Sequence, residues 1–478
     1  MKNWYPCLLL FLLLGQLSAQ TDKLAEVERS LRPDLIVEGE PLWTLAARME
    51  NHEIPGLSLA VVDDFALAVT KSYGKRQVDE RDPVTTETVF QAASISKLVN
   101  AVGILKLVEA GQLDLDRDVN DYLTSWKLAP NADFPDAVVT TRMLLAHTAG
   151  LTSHGFGGYK TGEDLPTTTE ILSKGPGVNS ERVKIFKQPG VSFKYSGGGT
   201  TITQLLVEDL TGLPYPQYVR EQVLQPLKMI HSFYSVNQAG KEDRLATAHL
   251  GNGKPLKNKY QHYPESAAAG LWTTPSDLSK LMIELMRAMR GDADRILLPA
   301  TVRAMTVPPT EDGNSGLGMF VREKQGHVYF DHGGSNRGFR AFFIGSTTSG
   351  DGAVVMVNSS RFDLIPEVLN AIALTYDWPG WFGPDNTLSR DFTPDKSAWK
   401  SYPGHYVSEG EGATFVDVSL KKGRLIVSRG KEWKIPLVPL SRNRFLFKNA
   451  SPAATVVFPE DGLIEVTQNG KTTRFHRQ

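Results

Sequence analysis

The sequence contains almost no cysteine. Among its 478 residues the one cysteine is Cys7, which lies in an apolar segment at the start of the chain. If this segment is cleaved off, the remaining chain can form no disulfide, no thiolate metal site and no cysteine nucleophile.

The chain also lacks a surplus of charge of either sign. Its formal net charge is -1, and 41% of its residues are hydrophobic, as in an ordinary globular protein. A nucleic-acid partner would require a basic surplus, so we expect none. At this length two domains are expected.

Long hydrophobic runs are missing after the first residues. Lys2 precedes an apolar run from Cys7 to Leu14, and the small residue Ala19 follows. This pattern predicts a secretory signal over residues 1–19, cleaved after Ala19. The run is too short to span a membrane, and no later segment is long and apolar enough. We therefore expect no membrane span and a protein that is secreted or periplasmic.

One stretch organises the rest of the chain. From Ser94 to Gly111 apolar residues surround most of a predicted helix, as in a helix buried at the centre of a domain. Ser94 and Lys97 lie on one face of this helix and can share a proton, because burial would disfavour the charged form of Lys97. Alternatively, Ser94 only caps the helix and Lys97 is solvated. Other Ser-x-x-Lys matches, such as Ser397-Lys400, lie in segments that we interpret as strand or loop.

The surrounding pattern predicts an α+β fold. Residues 56–62 and 65–70 predict a hairpin that turns at Asp63 and Asp64. Residues 112–235 look largely helical, Thr274 caps a helix over 276–290, and four strands alternate between 316 and 358. This order predicts an antiparallel sheet flanked by helices, with a helical subdomain, rather than a doubly wound parallel sheet.

Two further stretches carry candidate site residues. Tyr195 precedes Ser196 and three glycines, Gly197 to Gly199, which permit close approach of a backbone or a ligand. Tyr195 is either a core aromatic or a phenol that shuttles a proton. His332 precedes Gly333 and Gly334 at the end of a strand, where a substrate can lie along the sheet edge. Alternatively, this is a glycine-rich hairpin loop with an exposed His332.

Two other histidines fit a structural role better. His147 follows an apolar helical run and is expected to form a hydrogen bond within the fold. His154, in a glycine-rich loop, makes no metal-ligand spacing with it. We expect neither a metal ion nor another cofactor.

Together these motifs resemble those of the penicillin-recognising serine hydrolases. Ser94-x-x-Lys97, Tyr195-Ser-Gly197 and His332-Gly-Gly334 follow one another as the three motifs of that family do. The sequence is most similar to the class C beta-lactamase-like branch, which includes esterases, D-aminopeptidases and DD-carboxypeptidases. The stretches 144–151 and 269–278 are also similar to that branch, and the resemblance covers roughly residues 40–360.

The resemblance implies a role for each residue. Ser94 would be the acylated nucleophile, and Lys97 with Tyr195 would transfer its proton. His332 would support the hydrogen-bond network of Tyr195 or meet a substrate group. The backbone N–H groups of Ser94 and Ser335 would form the oxyanion hole.

Departures from the family pattern limit the substrate. Gly197 replaces the asparagine frequent in beta-lactamases, Gly333 replaces a hydroxyl residue, and His332 replaces a lysine. These changes weaken recognition of an antibiotic carboxylate, so an esterase or D-residue peptidase acting on a small molecule or short peptide is favoured. The alternatives are a beta-lactamase or DD-carboxypeptidase, or an inert protein that binds peptides or cell-wall fragments.

The end of the chain predicts a separate domain. A stretch rich in tryptophan, proline, glycine and aspartate gives way to short strands separated by Lys-Gly, Asp-Gly and Asn-Gly turns. We expect a hydrolase domain over 20–385, a linker over 386–403 and a small all-β, barrel-like domain over 404–478. Such a domain resembles those appended to several family members, either shaping the active-site mouth or adding stability.

Overall fold

In the computed structural model of the protein, the two apolar stretches ahead of Ser94 form a hairpin at one edge of the main sheet. Strands β2 (Gly56–Asp63) and β3 (Ala66–Gly74) pair antiparallel. Asp64 and Phe65 occupy the turn with positive φ, as two-residue turns that match the strand twist require. The predicted hairpin is confirmed, with its turn one residue later than expected.

The structure describes residues 20–32, 36–38, 42–234, 242–292, 295–311, 313–382, 387–388, 396–409, 413–430, 433–447, 454–459, 462–468 and 471–478. They form two units: one contains 46–365 and 375–381 with the described residues before 26, and the other contains 26–45, 366–374 and the residues from 382 onwards. The predicted signal with Cys7 lies outside the described residues, as do residues 386 and 389–395 of the predicted linker. The predicted boundaries at 385 and 404 stay predictions.

A six-stranded antiparallel sheet forms the centre of the first unit. Its strand order is β3-β2-β11-β10-β9-β8. The four later strands are β8 (Phe320–Lys324), β9 (His327–Asn336), β10 (Phe339–Ser346) and β11 (Gly352–Val357). Strands β9, β10 and β11 lie where the alternating pattern predicted strands, whereas β8 begins at Phe320 and not at the expected Gly316. The predicted antiparallel sheet is confirmed.

The helices of the described residues vary widely in length. They are α1 (residues 20–29), α2 (Leu45–Asn51), α3 (Ser96–Glu109), α4 (Thr141–Leu145), α5 (Thr168–Ser173), α6 (Gly197–Thr211), α7 (Tyr215–Val219), α8 (Ser266–Ala269), α9 (Pro275–Arg290), α10 (Pro299–Met305) and α11 (Leu364–Thr375). Short 3-10 turns occur at Ala93–Ile95, Val119–Asp121, Glu242–Arg244 and Ala398–Ser401, and a π turn at Arg220–Leu224. In the described part of the chain no helix combines the length and apolarity needed to cross a bilayer.

Three pairs of short strands complete the sheets outside the barrel. They are β1 (Ile36–Val37) with β12 (Thr387–Leu388), β4 (Phe90–Gln91) with β7 (Trp272–Thr273), and β5 (Tyr159–Lys160) with β6 (Gln261–His262). The β4–β7 pair comes just before the turn that carries Ser94, and it ties that turn to the segment between α8 and α9.

Helix α3 is buried on nearly all sides, as its sequence predicted. It packs against α6 and α8, and its apolar side chains share one core with those of the sheet and of α9. Helix α9 starts as predicted, because the Thr274 hydroxyl accepts a hydrogen bond from the N–H of Asp277. The cap of α3 differs from the prediction: the helix begins at Ser96, and the Ser94 side chain makes no capping hydrogen bond.

The second unit contains a closed antiparallel barrel, as predicted for the end of the chain. Its eight strands enclose an apolar core that includes Trp399, Tyr406 and Phe445. They are β13 (Gly404–Ser408), β14 (Phe415–Lys421), β15 (Arg424–Arg429), β16 (Trp433–Pro439), β17 (Arg444–Phe447), β18 (Ala454–Val457), β19 (Leu463–Gln468) and β20 (Lys471–Arg477). Closure leaves no open strand edge in this sheet.

A buried carboxyl group precedes α8. Glu265 is fully buried, and neither of its carboxyl oxygens has a hydrogen-bond partner among the described residues. Burial raises its pKa to about 7, because loss of water disfavours the charged form. The folded protein therefore holds this proton over a pH range in which an unfolded glutamate has already lost it.

The first prediction concerns stability against pH. Because the pKa of Glu265 is higher in the folded than in the unfolded state, binding of its proton stabilises the fold below the usual glutamate pKa. This stabilisation is lost as pH rises towards 7. We expect Glu265→Gln to unfold at a higher urea concentration than wild type at pH 8, by about 3 kcal/mol in the free energy of unfolding, with the difference closing towards pH 4. Glu323→Gln, at an exposed glutamate, is the control. A constant difference between Glu265→Gln and wild type over this range would contradict the prediction.

Candidate active site

Ser94 lies in a strained turn at the start of α3. The residue before it, Ala93, has a φ of 49°, a left-handed value that costs free energy for a residue with a side chain. The Ser96 hydroxyl donates to the Ala93 carbonyl and accepts from the N–H of Leu271. The Ser96 hydroxyl thus supplies the hydrogen bonds that stabilise the turn, and the Ser94 hydroxyl remains available for another contact.

That contact is with Lys97, one turn further along. The Lys97 side chain is 4% exposed, and its Nζ donates to Ser94 Oγ at 3.1 Å and to the Ala268 carbonyl at 2.7 Å. A buried amine needs such partners, since an unpaired one would lose its hydration without compensation. The structure therefore brings Ser94 and Lys97 together as their spacing predicted.

Tyr195 lies beside Lys97, just before the start of α6. Lys97 Nζ lies 5.1 Å from the centre of the Tyr195 ring. The ring packs between His147, at 4.2 Å between ring centres, and Phe320, at 6.3 Å. Ser196 caps α6 by accepting a hydrogen bond from the N–H of Gly199. The phenol is thus fixed at the beginning of a buried helix.

His332, on β9, lies in the same site as Ser94 and Tyr195. It is 2% exposed, and its Nδ1 donates to the Gly333 carbonyl at 2.8 Å, since a carbonyl can only accept. Burial and the nearby charge of Lys97 lower the pKa of His332 to about 3. The ring is therefore neutral at physiological pH and keeps Nε2 as an acceptor.

The strand that carries His332 has a free edge beside Ser94. Strand β8 pairs with the first half of β9 only, because its last partner pair joins Phe320 and Asp331. Past that pair, no described strand covers the outer edge of β9, on which Ser335 is exposed. A Cβ on Gly334 would lie 2.2 Å from the Ala92 carbonyl oxygen, so β9 and the Ser94 turn are in backbone contact. The oxyanion hole itself stays a prediction.

These groups open into one pocket of about 690 Å³. Ser94, Tyr195 and His332 line it together with Gly333, Gly334 and Ser335. Sequence reasoning missed the other lining residues, which are His154, Gly155, Phe156, Phe193, Phe320, Arg340 and Phe362. Most of them are aromatic, and they come from loops and strands far apart in the chain.

His147 and His154 both lie against Tyr195. His147 is buried and accepts a hydrogen bond from the N–H of Ser196, so the predicted bond within the fold is present. His154 packs 4.9 Å from the Tyr195 ring and lines the pocket. Burial lowers the pKa of both rings, and the charge of Lys97 lowers them further. The described residues contain no group of acidic, histidine or cysteine side chains arranged for a metal ion.

Gly197 lies next to Phe156, which lines the pocket. It is buried at the start of α6, where a Cβ would lie 2.8 Å from the Phe156 ring. The missing side chain therefore makes room for Phe156. A role for Gly197 in contacting substrate stays a prediction.

Comparisons with known proteins agree with this arrangement. Residues 44–374 match the Beta-lactamase family. Protein flp of Staphylococcus aureus strain N315 is 28% identical over 234 residues, which are 48% of this chain and 43% of that protein. The chain thus spans less than half the length of this curated relative.

Solved structures with lower identity show the same fold. An octameric penicillin-binding protein homologue from Pyrococcus abyssi aligns with a TM-score of 0.63 at 22% identity, over 90% of this chain and 98% of the other. The D-amino acid amidase from Ochrobactrum anthropi SV3 complexed with D-phenylalanine aligns with a TM-score of 0.56 at 19% identity, over 69% and 98%. Since the family match covers most of the chain and includes the Ser94 turn, α6 and β9, the chain belongs to the beta-lactamase family.

Proposed function

We propose that the protein is an exported serine hydrolase that cleaves an ester or amide bond through an acyl-enzyme on Ser94. The observation that carries this proposal is the hydrogen bond between Lys97 Nζ and Ser94 Oγ at the pocket. A base in hydrogen-bond contact with a hydroxyl is the arrangement that activates a serine nucleophile. The signal pattern in residues 1–19 is the basis for export.

The residues support a two-step reaction. The step requires the free-base form of Lys97: Ser94 Oγ attacks the substrate carbonyl carbon while its proton passes to the Lys97 amine, and the oxyanion is stabilised by the N–H groups of Ser94 and Ser335. The C–O or C–N bond then breaks, and the proton reaches the leaving group through Tyr195. Water next attacks the acyl carbon, its proton is taken up by the same pair, and Ser94 leaves with a proton restored.

The electrostatics of the pocket favour a neutral or anionic substrate. Arg340 lines it, and its Nη1 donates to the carbonyls of Asn336 and Phe339. No aspartate or glutamate stands among the described lining residues. A substrate ammonium would therefore have no counter-charge near Ser94, whereas a carboxylate could pair with the Arg340 guanidinium.

Within this chemistry we favour an esterase or D-residue peptidase acting on a small molecule or short peptide. The fold shared with the D-amino acid amidase is compatible with D-residue substrates. His332 is neutral, so it cannot offer the charge that a lysine in its place would give to an antibiotic carboxylate. A beta-lactamase or DD-carboxypeptidase is the second candidate, and Arg340 is the feature that favours it.

A covalent adduct on Ser94 tests the nucleophile. We expect a fluorophosphonate to add one phosphonyl group to the Ser94 peptide in mass spectrometry, and Ser94→Ala to remove both the adduct and hydrolysis of p-nitrophenyl esters. Ser397→Ala, in a second Ser-x-x-Lys sequence on a 3-10 turn, is the control and should label normally. A folded wild-type protein that takes no label and turns over no ester would favour the inert binding protein instead.

Two neighbouring glycines test the geometry of the oxyanion hole. Gly334→Ala places a Cβ against the Ala92 carbonyl, so β9 must move away from the Ser94 turn. We expect kcat/KM for esters to fall by about 100-fold, as when an oxyanion donor is lost. Gly333→Ala meets only Phe342 at an ordinary 3.6 Å and should stay within about 3-fold of wild type. Equal effects of the two changes would count against this geometry.

Paired substrates test the role of Arg340. We expect kcat/KM for a carboxylate-bearing p-nitrophenyl ester to fall by about 10-fold or more in Arg340→Gln, as when a charge-assisted hydrogen bond is lost, while that for the neutral ester of equal length changes little. Arg337→Gln, at a nearby exposed arginine outside the pocket lining, is the control. The assignment is wrong if Arg340→Gln slows both esters alike.

A further inference from the structure

His147 holds the backbone on both sides of Tyr195. Its carbonyl accepts a hydrogen bond from the N–H of Lys194 at 2.7 Å, and its Nδ1 accepts one from the N–H of Ser196 at 3.3 Å. Its ring packs against the ring of Tyr195 at 4.2 Å, with the planes tilted by 37°. One residue therefore contacts Tyr195 through its ring and both of its chain neighbours through hydrogen bonds.

The contact with Ser196 requires one particular state of the ring. Nδ1 can accept from an N–H only when it carries no proton, so the proton of the neutral ring lies on Nε2. Burial keeps the ring neutral by lowering the pKa of His147 well below its usual value. The charged or titratable groups that face it are Lys97, His332 and His154, and they act in the same direction.

The backbone of His147 is strained. Its φ is 59°, in the left-handed region that residues with side chains rarely adopt. The conformation costs free energy of order 1 kcal/mol or more. In this conformation the His147 carbonyl accepts from the N–H of Lys194 while the His147 ring accepts from the N–H of Ser196. These two contacts account for the strain.

We propose that His147 is a positioning residue that fixes the Tyr195 ring beside Lys97, whose Nζ lies 5.1 Å from the ring centre. This inference rests on the proposed function, because it gives Tyr195 a proton to transfer. His147 touches no substrate: it is buried and absent from the pocket lining. Its Nδ1 is the decisive atom, since the buried N–H of Ser196 has no other acceptor among the described residues. Without that acceptor the Tyr195 segment can shift, and a displacement of about 1 Å can cost about 100-fold in rate.

A matched pair of variants separates the hydrogen bond from the backbone strain. Asparagine and glycine both tolerate a left-handed φ, but only asparagine offers an oxygen near the position of Nδ1. We expect His147→Gly to lower kcat for p-nitrophenyl esters by about 10- to 100-fold with KM within about 3-fold of wild type. We expect His147→Asn to restore kcat to within about 5-fold of wild type. Lys174→Gly, at another left-handed residue that ends α5, controls for backbone effects.

A purely structural role would give a different result. In that case the glycine and asparagine variants, measured well below their unfolding temperatures, would have the same kcat, and that outcome overturns the proposal. If His147→Gly does not fold, His147→Leu fills the space without an acceptor and must show the same loss. The proposed function has its own readout, because fluorophosphonate labelling of wild-type Ser94 tests the nucleophile whatever the His147 variants do.

Discussion

The amine of Lys97 is the group on which the rest of the site depends. It is buried against Ser94, and the Ala268 carbonyl is its second partner. That carbonyl belongs to α8, whose next residue, Ala269, accepts a hydrogen bond from the Asn336 side chain on β9. The Ser94 turn, α8 and β9 are therefore joined by hydrogen bonds close to the Lys97 amine. Movement of any of the three elements would leave a buried polar group without a partner, which is costly.

His147 and His332 show how this amine acts on its neighbours, because it lowers the pKa of both rings in addition to the effect of burial. His332 and His147 are both neutral, yet they carry their protons on different nitrogens, because one faces a carbonyl and the other an N–H. Both rings add hydrogen bonds and packing without adding a second positive charge near Lys97.

The sequence predicted the parts of the site that local patterns encode. Alternation of apolar residues predicted β9, and the spacing of Ser94 and Lys97 predicted their contact. It did not predict Arg340 or Phe320 in the pocket, because periodicity indicates which face of a strand is buried but not which distant segment it meets. The start of α3 was also misplaced, because a 3-10 turn over Ala93–Ile95 precedes the helix and the positive φ of Ala93 has no sequence signal.

The loss of the family asparagine at Gly197 and the aromatic wall of the pocket are parts of one arrangement. Phe156 occupies the space that any side chain at Gly197 would need, and it lines the pocket. An amide at this position would require the Phe156 ring to move. Under the proposed function, a substrate would therefore meet an apolar ring here instead of a side-chain amide. Apolar contact discriminates weakly between similar groups, whereas a lost hydrogen bond discriminates strongly. In the proposed function, the group that discriminates between substrates is then Arg340, which lines the pocket and lies opposite Ser335 across the β9–β10 pair.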